Sequence, residues 1–528
     1  RMSMLRKTLL AGAALLLAPL PALAQDGSNS IIVGLAAAKS GPTIDRHIFG
    51  QFAEHLGSGI YGGIWVGKES PIPNTRGIRK DVVAALRAIK VPVVRWPGGC
   101  FADEYHWRDG IGPQEKRRSS VNTNWGGAGE PNSFGTDEFM DFADQVGAEA
   151  YISVNVGSGT IQEAADWLAY MTADPSSTAG KERAANGHVA PYKVKWLGLG
   201  NESWGCGGSM RPDHYVDLMK RFARFTHNLD PKQGEKGPEP MQRIAVGPND
   251  GDTTYTEAVM AAWKGHDWAW NIEGLSMHAY TTGGWPPSMP SVGFDETGYA
   301  RLVKAALAMD GMIAKHSAIM DKYDPEKKVP LVIDEWGVWL APLPGSNPGF
   351  LTQQNSLRDA IIAALHFNIF ARHADRVKMT NIAQMINVLQ AMILTDKEKM
   401  VLTPTYHVFR MYVPFQDAQA VPVSFDAGTY TQGDVTLPRV DAIAARGKDG
   451  KLWLAVTNLD AGKPARFDVK LAGLTAKTAK GEVLTAAKVD AVNSFEAPNA
   501  VVPKPISGKV AKGAVTLELT AKSVPVVD

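Results

Sequence analysis

The chain has 528 residues, 45% apolar and 21% charged, which suits a globular protein with a large core and room for two domains. Lys and Arg number 55 against 54 Asp and Glu; the formal net charge of +1 gives no footprint for nucleic acid or another polyanion, and the basic run Lys116-Arg117-Arg118 reads as a solvated loop. Two cysteines, Cys100 and Cys206, exclude a disulfide framework and a Cys-based zinc site.

In chain order, Arg6 and Lys7 lead into an apolar run over 9–20, followed by Pro21-Ala22-Leu23-Ala24. A basic start, a short apolar run and a small-residue site form the pattern of a secretory signal cut after Ala24, and the run is too short to span a bilayer. Residues 1–24 are therefore expected to be removed. The mature chain, with no second long apolar run, is expected to be exported to the periplasm or the medium without a membrane span.

Residues 25–45 hold one short strand, Ile31-Ile32-Val33-Gly34-Leu35. From 46 to 412, strand-like apolar runs alternate with helical periodicity. The strands are expected at 48–52, 91–96, 150–154, 194–199, 243–246, 274–278, 331–333 and 378–384. Helices are expected at 81–89, 136–146, 162–171, 212–228 and 357–372, with Pro212 in a first-turn position. Eight strands alternating with helices, and no G-x-G-x-x-G after an early strand, predict an α/β fold of the (β/α)8 TIM-barrel type. From 413 to 528 the texture changes to short alternating runs such as Leu452-Trp453-Leu454-Ala455-Val456, punctuated by Gly, Pro, Asn and Asp, which predict a C-terminal β-sandwich.

Chemistry-bearing residues fall at the ends of the predicted barrel strands. Glu202 follows the fourth, in Gly200-Asn201-Glu202-Ser203-Trp204. Glu335 follows the seventh, in Asp334-Glu335-Trp336. Two glutamates on the C-terminal face of one barrel are what a retaining glycoside hydrolase needs. Arg95, in Arg95-Trp96-Pro97-Gly98-Gly99-Cys100, can hold a carboxylate ionised, and its two glycines let backbone approach a ligand. Glu54 closes the first strand; His278 and Tyr280 close the sixth, where a lone His or Tyr is more often a packing residue.

These motifs, Phe52-Ala53-Glu54-His55-Leu56-Gly57, Arg95-Trp96-Pro97-Gly98-Gly99, Trp107-Arg108-Asp109-Gly110-Ile111-Gly112-Pro113, Gly200-Asn201-Glu202 and Asp334-Glu335-Trp336, make the chain similar to glycoside hydrolase family 51, best known for α-L-arabinofuranosidases. The resemblance spans the whole mature chain and implies a barrel with a C-terminal sandwich that the strand in 25–45 often joins. It implies Glu202 as general acid/base and Glu335 as nucleophile. It gives substrate-binding roles to Glu54, Asn201 (at the 2-hydroxyl), Tyr280 and Gln384, and Arg95, Cys100 and His278, at the same strand ends, are expected to share the substrate site. Cys100 stands where many relatives carry Asn, and the export signal departs from many cytosolic relatives.

The expected reaction is removal of terminal arabinofuranosyl residues from plant oligo- or polysaccharides with net retention, needing no metal or organic cofactor. The resemblance also admits a homo-oligomer. The competing readings are a retaining endoglucanase, endoxylanase or β-xylosidase on the same scaffold, and a non-catalytic sugar-binding protein. An esterase is excluded by the missing G-x-S-x-G elbow. The two cysteines are expected to be separate, partly buried thiols. The alternative is a disulfide tying the loop of Glu202 to the loop carrying Arg95, for which the Cα atoms must come within about 7 Å.

Overall fold

The computed structural model describes residues 30–528, so the proposed signal segment lies outside the described residues. Eight strands close a parallel barrel in simple sequential order: β1 (Gly50–Phe52), β2 (Val93–Trp96), β3 (Glu149–Val154), β4 (Trp196–Leu199), β5 (Gln242–Ala245), β6 (Gly274–Thr281), β7 (Leu331–Val338) and β8 (Val377–Ile382). Side chains of β2 and β7 are buried on both faces, because barrel interior covers one side and the helical ring the other. This explains the apolar pairs and triplets that open them, Val93-Val94 and Leu331-Val332-Ile333. The helix Pro212–Phe225 starts at its proline, and Leu357–Arg372 is buried along nearly its whole length.

β7 departs from the sequence reading. It does not stop at Ile333 but runs through Glu335 to Val338. Ser276 pairs with Val332, yet His278 pairs with Glu335, so β7 uses one residue more than β6 over the same span. This is a β-bulge. Strict alternation would aim Asp334 and Glu335 at opposite faces. The bulge instead lets both carboxylates enter the barrel, where Asp334 meets Tyr151 and Glu335 meets Arg95.

The C-terminal region forms two large sheets beside a two-stranded hairpin, Thr429–Gln432 with Val435–Pro438. One has six strands; the other has five and takes in the N-terminal strand Ser30–Leu35, which pairs parallel with Ala465–Leu471 and antiparallel with Val423–Phe425. Val33, Val440, Val456, Phe467 and Leu517 meet in the core between the sheets. A strap from this region returns to the barrel: the backbone N–H groups of Leu357 and Arg358 donate to Ala491 and Val489 carbonyls, and Gln354 donates to the Asn493 carbonyl at 2.7 Å. Among the described residues no helix is long and apolar enough to cross a membrane.

Candidate active site

The C-terminal ends of β1, β2, β4, β6, β7 and β8 converge on one buried pocket. Arg95, at the end of β2, is enclosed. Its guanidinium donates to Glu335 Oε1 at 2.9 Å and to Asn201 Oδ1 at 2.7 Å, stands 3.6 Å from Asp334 Oδ2, and lies over the Phe52 ring. The other Glu335 oxygen accepts from the Tyr280 hydroxyl at 2.6 Å. Both oxygens of Glu335 are thus held by a hydrogen-bonding group, one by Arg95 and one by Tyr280.

His278 bridges the acids. Nδ1 lies 3.0 Å from Glu202 Oε1 and 3.6 Å from Glu335 Oε2, and Nε2 lies 3.0 Å from Asp334 Oδ1. Burial alone would lower its pKa, but the charges of Glu335 and Asp334 outweigh burial and push it up to about 10. At neutral pH it is an imidazolium donating from both nitrogens. Asp334 also accepts from Tyr151 and Ser276; against the cost of burial, Arg95 and His278 hold it well below the usual carboxylate range.

Glu202 behaves oppositely. Burial raises its pKa, the Glu335 charge adds to this, and the hydrogen bond from His278 offsets part of it. Its backbone adopts φ 40°, a left-handed conformation uncommon outside glycine and costly enough to mark a functional turn. With His278 donating to Oε1, the Glu202 proton belongs on Oε2. That oxygen faces sulfur: Cys206 Sγ is 3.3 Å away and Cys100 Sγ 3.8 Å.

Those sulfurs are bonded to each other, which corrects the expectation of two separate thiols. Strand β3 separates β2 from β4, but the turn Cys100–Glu104 and the loop after Glu202 fold inward until the two Cα atoms are 5.6 Å apart. Cys100 therefore has no thiol to offer a sugar. Arg95 donates to Glu335 and Asn201 and stands beside Asp334, an arrangement that sets the charge and position of these protein groups. His278 is more than a packing residue, since it links the two glutamates.

Glu54 and Gln384 form a second polar pair across β1 and β8. Gln384 Nε2 donates to Glu54 Oε1 at 3.0 Å, and the Phe101 backbone N–H donates to Oε2 at 3.1 Å. Burial, aided by the Glu335 charge, pushes Glu54 up to about 8. Gly99 is required here, since a Cβ on it would sit 2.6 Å from Glu54 Oε2. Beyond Tyr280 an aromatic series runs outward, with Trp339 at 5.0 Å and Trp285, 71% exposed, at 5.2 Å from Trp339. Asp334, Tyr151, Ser276 and Trp339 were not singled out from the sequence. Asp334 could have been, as the acid beside Glu335; Tyr151 and Ser276 occupy ordinary strand positions.

The atoms of Glu202, His278 and Glu335 that could ligate a metal lie within 4.8 Å of one another. The grouping of Cys100, Glu202 and Cys206 is closed to a metal by the disulfide.

Residues 85–282 match the family described as α-L-arabinofuranosidase 1 domain, and residues 334–523 the α-L-arabinofuranosidase C-terminal domain. The chain is 46% identical over 499 residues to an intracellular exo-α-L-arabinofuranosidase of Bacteroides ovatus, covering 94% of this chain and 95% of that protein. Its fold is similar to the GH51 arabinofuranosidase of Xanthomonas axonopodis pv. citri, with a TM-score of 0.90, 51% identity, and 94% and 99% of the two chains covered. It is also similar to the α-L-arabinofuranosidase of Thermotoga maritima in its arabinose complex, with a TM-score of 0.81, 31% identity, and the same 94% and 99%. With eight barrel strands, a sandwich and two facing glutamates in the same frame, the chain belongs to the GH51 α-L-arabinofuranosidase family.

Proposed function

We propose that the protein is a retaining exo-acting α-L-arabinofuranosidase in which Glu335 is the nucleophile and Glu202 the acid/base. The observation that carries the mechanism is the proximity of oxygens from Glu202 and Glu335, within 4.8 Å. That favours direct attack over the roughly 6.5–9.5 Å separation an inverting enzyme keeps for its water. Glu335, its lone pairs aligned by Arg95 and Tyr280, attacks the anomeric carbon. Glu202 passes its Oε2 proton to the departing oxygen. In the second step Glu202, now ionised and hydrogen-bonded to His278, takes a proton from water, which releases the sugar with its configuration retained.

The roles of the other groups follow from their free hydrogen-bonding capacity. Asn201 spends its oxygen on Arg95 and turns its amide nitrogen toward Cys206 Sγ at 3.6 Å, which leaves one amide N–H for a sugar hydroxyl. Glu54, braced by Gln384 and the Phe101 amide, accepts from another hydroxyl. The deep burial of Glu54, Asn201, Glu335 and Gln384 supports a blind pocket for one terminal sugar, hence exo action. The substrate class is arabinofuranosyl-bearing plant oligo- or polysaccharide. Export to the periplasm or medium is part of the same proposal, supported by the leader pattern and by a disulfide, which persists in oxidising compartments.

The test is the stereochemical course. Proton NMR of 4-nitrophenyl α-L-arabinofuranoside hydrolysis should show the α-anomer of arabinose first, with mutarotation following. First appearance of the β-anomer would overturn the retaining assignment. Turnover of β-xyloside or cellobioside in preference to the arabinofuranoside would overturn the substrate. An intact N-terminus on protein recovered outside the cytoplasm would count against cleavage after Ala24.

A further inference from the structure

The face of the barrel opposite the active site carries the most exposed large apolar side chain among the described residues. The helix Pro212–Phe225 leaves the C-terminal end of β4, so its last turns lie at the N-terminal ends of the strands. The segment 265–271, which leads from the helix Thr254–Lys264 into β6, lies there too. Trp268 stands on that segment 90% exposed, and Phe225, at the end of the neighbouring helix, is 52% exposed. The segment is firmly braced. Trp263 is buried at its root and donates from Nε1 to Asn271 Oδ1 at 3.2 Å. His266 stacks on Trp263 with ring centroids 5.7 Å apart and meets Trp270 edge-on at 5.8 Å, and Asp267 Oδ1 accepts from the Ala269 backbone N–H at 2.8 Å. Trp268 takes no part in this bracing. Its neighbour is a cation: the Arg224 guanidinium lies 6.0 Å from the Trp268 ring and 5.6 Å from the Phe225 ring, while Lys220, one turn earlier, lies 5.9 Å from the Trp270 ring.

Charge on this face is lopsided. The last two turns of the helix and the segment 264–271 carry Lys220, Arg221, Arg224 and Lys264 against Asp267 alone. Asp217, a turn further back, approaches Lys220 only to 3.9 Å, and among the described residues Arg224 has no ion-pair partner. Nearby His227 registers the excess: burial lowers its pKa, and the Arg243 and Arg224 charges lower it further against the opposing Glu235. The near-zero net charge of the whole chain hides this local field. A membrane surface would call for a broad apolar face. Here one indole stands clear among cations, which suits a ligand with a flat apolar face and a carboxylate at its edge.

We propose that Trp268, Phe225, Arg224 and Lys220 form a second, non-catalytic carbohydrate-binding surface for an acidic polysaccharide, with a uronic acid residue stacked on Trp268 and its carboxylate paired with Arg224. The inference deepens the substrate class of the proposed function and rests on that reading. A blind pocket grips one terminal sugar, and a hold on the far side of the barrel keeps the enzyme on a polymer that bears many such termini.

The experiment measures binding and turnover separately. Affinity electrophoresis at low salt, through gels holding polygalacturonate or neutral debranched arabinan, compares the wild type with Trp268→Ala, Trp268→Phe and Arg224→Gln. Polygalacturonate should retard the wild type more than the neutral polymer does. Its affinity should fall about 10-fold or more in Trp268→Ala, recover in part in Trp268→Phe, which keeps a flat ring, and fall about 3–10-fold in Arg224→Gln. Added salt should bring the wild type toward Arg224→Gln. The kcat/KM on 4-nitrophenyl α-L-arabinofuranoside should stay unchanged in all three variants. Polygalacturonate binding that is absent from the wild type, unchanged in Trp268→Ala, or no stronger than binding to the neutral polymer would overturn the surface. A lower sedimentation mass for Trp268→Ala would assign the face to a contact between copies, and lost co-sedimentation with phosphatidylglycerol vesicles beside unchanged polygalacturonate binding would assign it to a membrane; either would overturn the proposal. Wild-type protein that binds polygalacturonate but is inert on the aryl arabinofuranoside would instead overturn the function and leave the binding surface standing.

Discussion

The end of β7 and the end of β4 carry the same residue type a few ångströms apart, and the protein treats the two in opposite ways. At β7 a bulge turns Asp334 and Glu335 inward together, and Arg95, Tyr280 and His278 surround them with donors and positive charge. At β4, Glu202 has one donor, His278, and otherwise leans on a disulfide, whose sulfurs carry no hydrogen. An oxygen pressed against such a surface is desolvated without being hydrogen-bonded, which favours the neutral acid. Two identical side chains become a base-like nucleophile and a proton donor through their neighbours alone. The two lysozyme-type carboxylates of a glycosidase need that difference, and here it can be taken apart residue by residue.

The largest effect should come from Glu335→Ala, which removes the atom that bonds to the sugar. Activity is expected to fall about 10⁴-fold or more on every substrate, aryl or oligosaccharide. A mutant that kept most of its activity on activated substrates would end the nucleophile assignment. Glu202→Ala should break the other half selectively. An oligosaccharide, whose leaving oxygen needs a proton, should lose about 10²–10⁴-fold, a nitrophenol substrate much less, and azide should restore part of the second step. Equal losses on the two substrates would take Glu202 out of the acid role.

Tyr280→Phe deletes the short hydrogen bond to Glu335 Oε2 while leaving the Arg95 contact. A loss of about 10–100-fold in kcat/KM is expected, following the typical worth of a hydrogen bond to a charged group, and steady-state kinetics would reveal it. The smallest effect belongs to the disulfide and appears in the pH profile more than in the rate. Reduction puts S–H groups beside Glu202, which donate to its ionised form, and admits water; both lower its pKa. Activity requires the protonated acid and is lost as pH rises through that pKa, so the alkaline limb should move to lower pH in reduced protein or in Cys206→Ser. A limb that stays in place or moves up would show that the sulfurs do not keep Glu202 neutral.

How far these relations could be read beforehand depends on their range in the chain. Short apolar runs such as Val93-Val94 and Leu331-Val332-Ile333 announce barrel strands because burial on both faces favours apolar side chains except where the strand end enters the site. Glu202 and Glu335 stand beside such runs and were legible, as was the need for small residues at Gly98-Gly99. The bulge in β7 was not, since an extra residue shows only against the register of β6, which is set by hydrogen bonds and not by composition. The Cys100–Cys206 bond could be named from the sequence only as the second choice, because it depends on two loops folding inward over β3 and neither loop encodes its direction in hydrophobic pattern. The 28-residue helix Glu296–Tyr323 escaped notice because alanines and methionines blur its apolar stripe and Gly298 and Gly311 interrupt it.

The strand Ser30–Leu35 lies inside the sandwich sheet, between Val423–Phe425 and Ala465–Leu471. During synthesis it emerges before the barrel, while its partners follow only after the whole barrel has been made. The sandwich therefore cannot be completed by a ribosome-bound chain until its last strands are out, and until then two of its edges stay open to pairing with other chains. For the same reason a single cut between barrel and sandwich cannot yield two self-sufficient pieces. A C-terminal fragment would lack one of its inner strands, and a barrel fragment would carry that strand as an unpaired apolar tail. The chain is tied like a belt, with its buckle made from both ends.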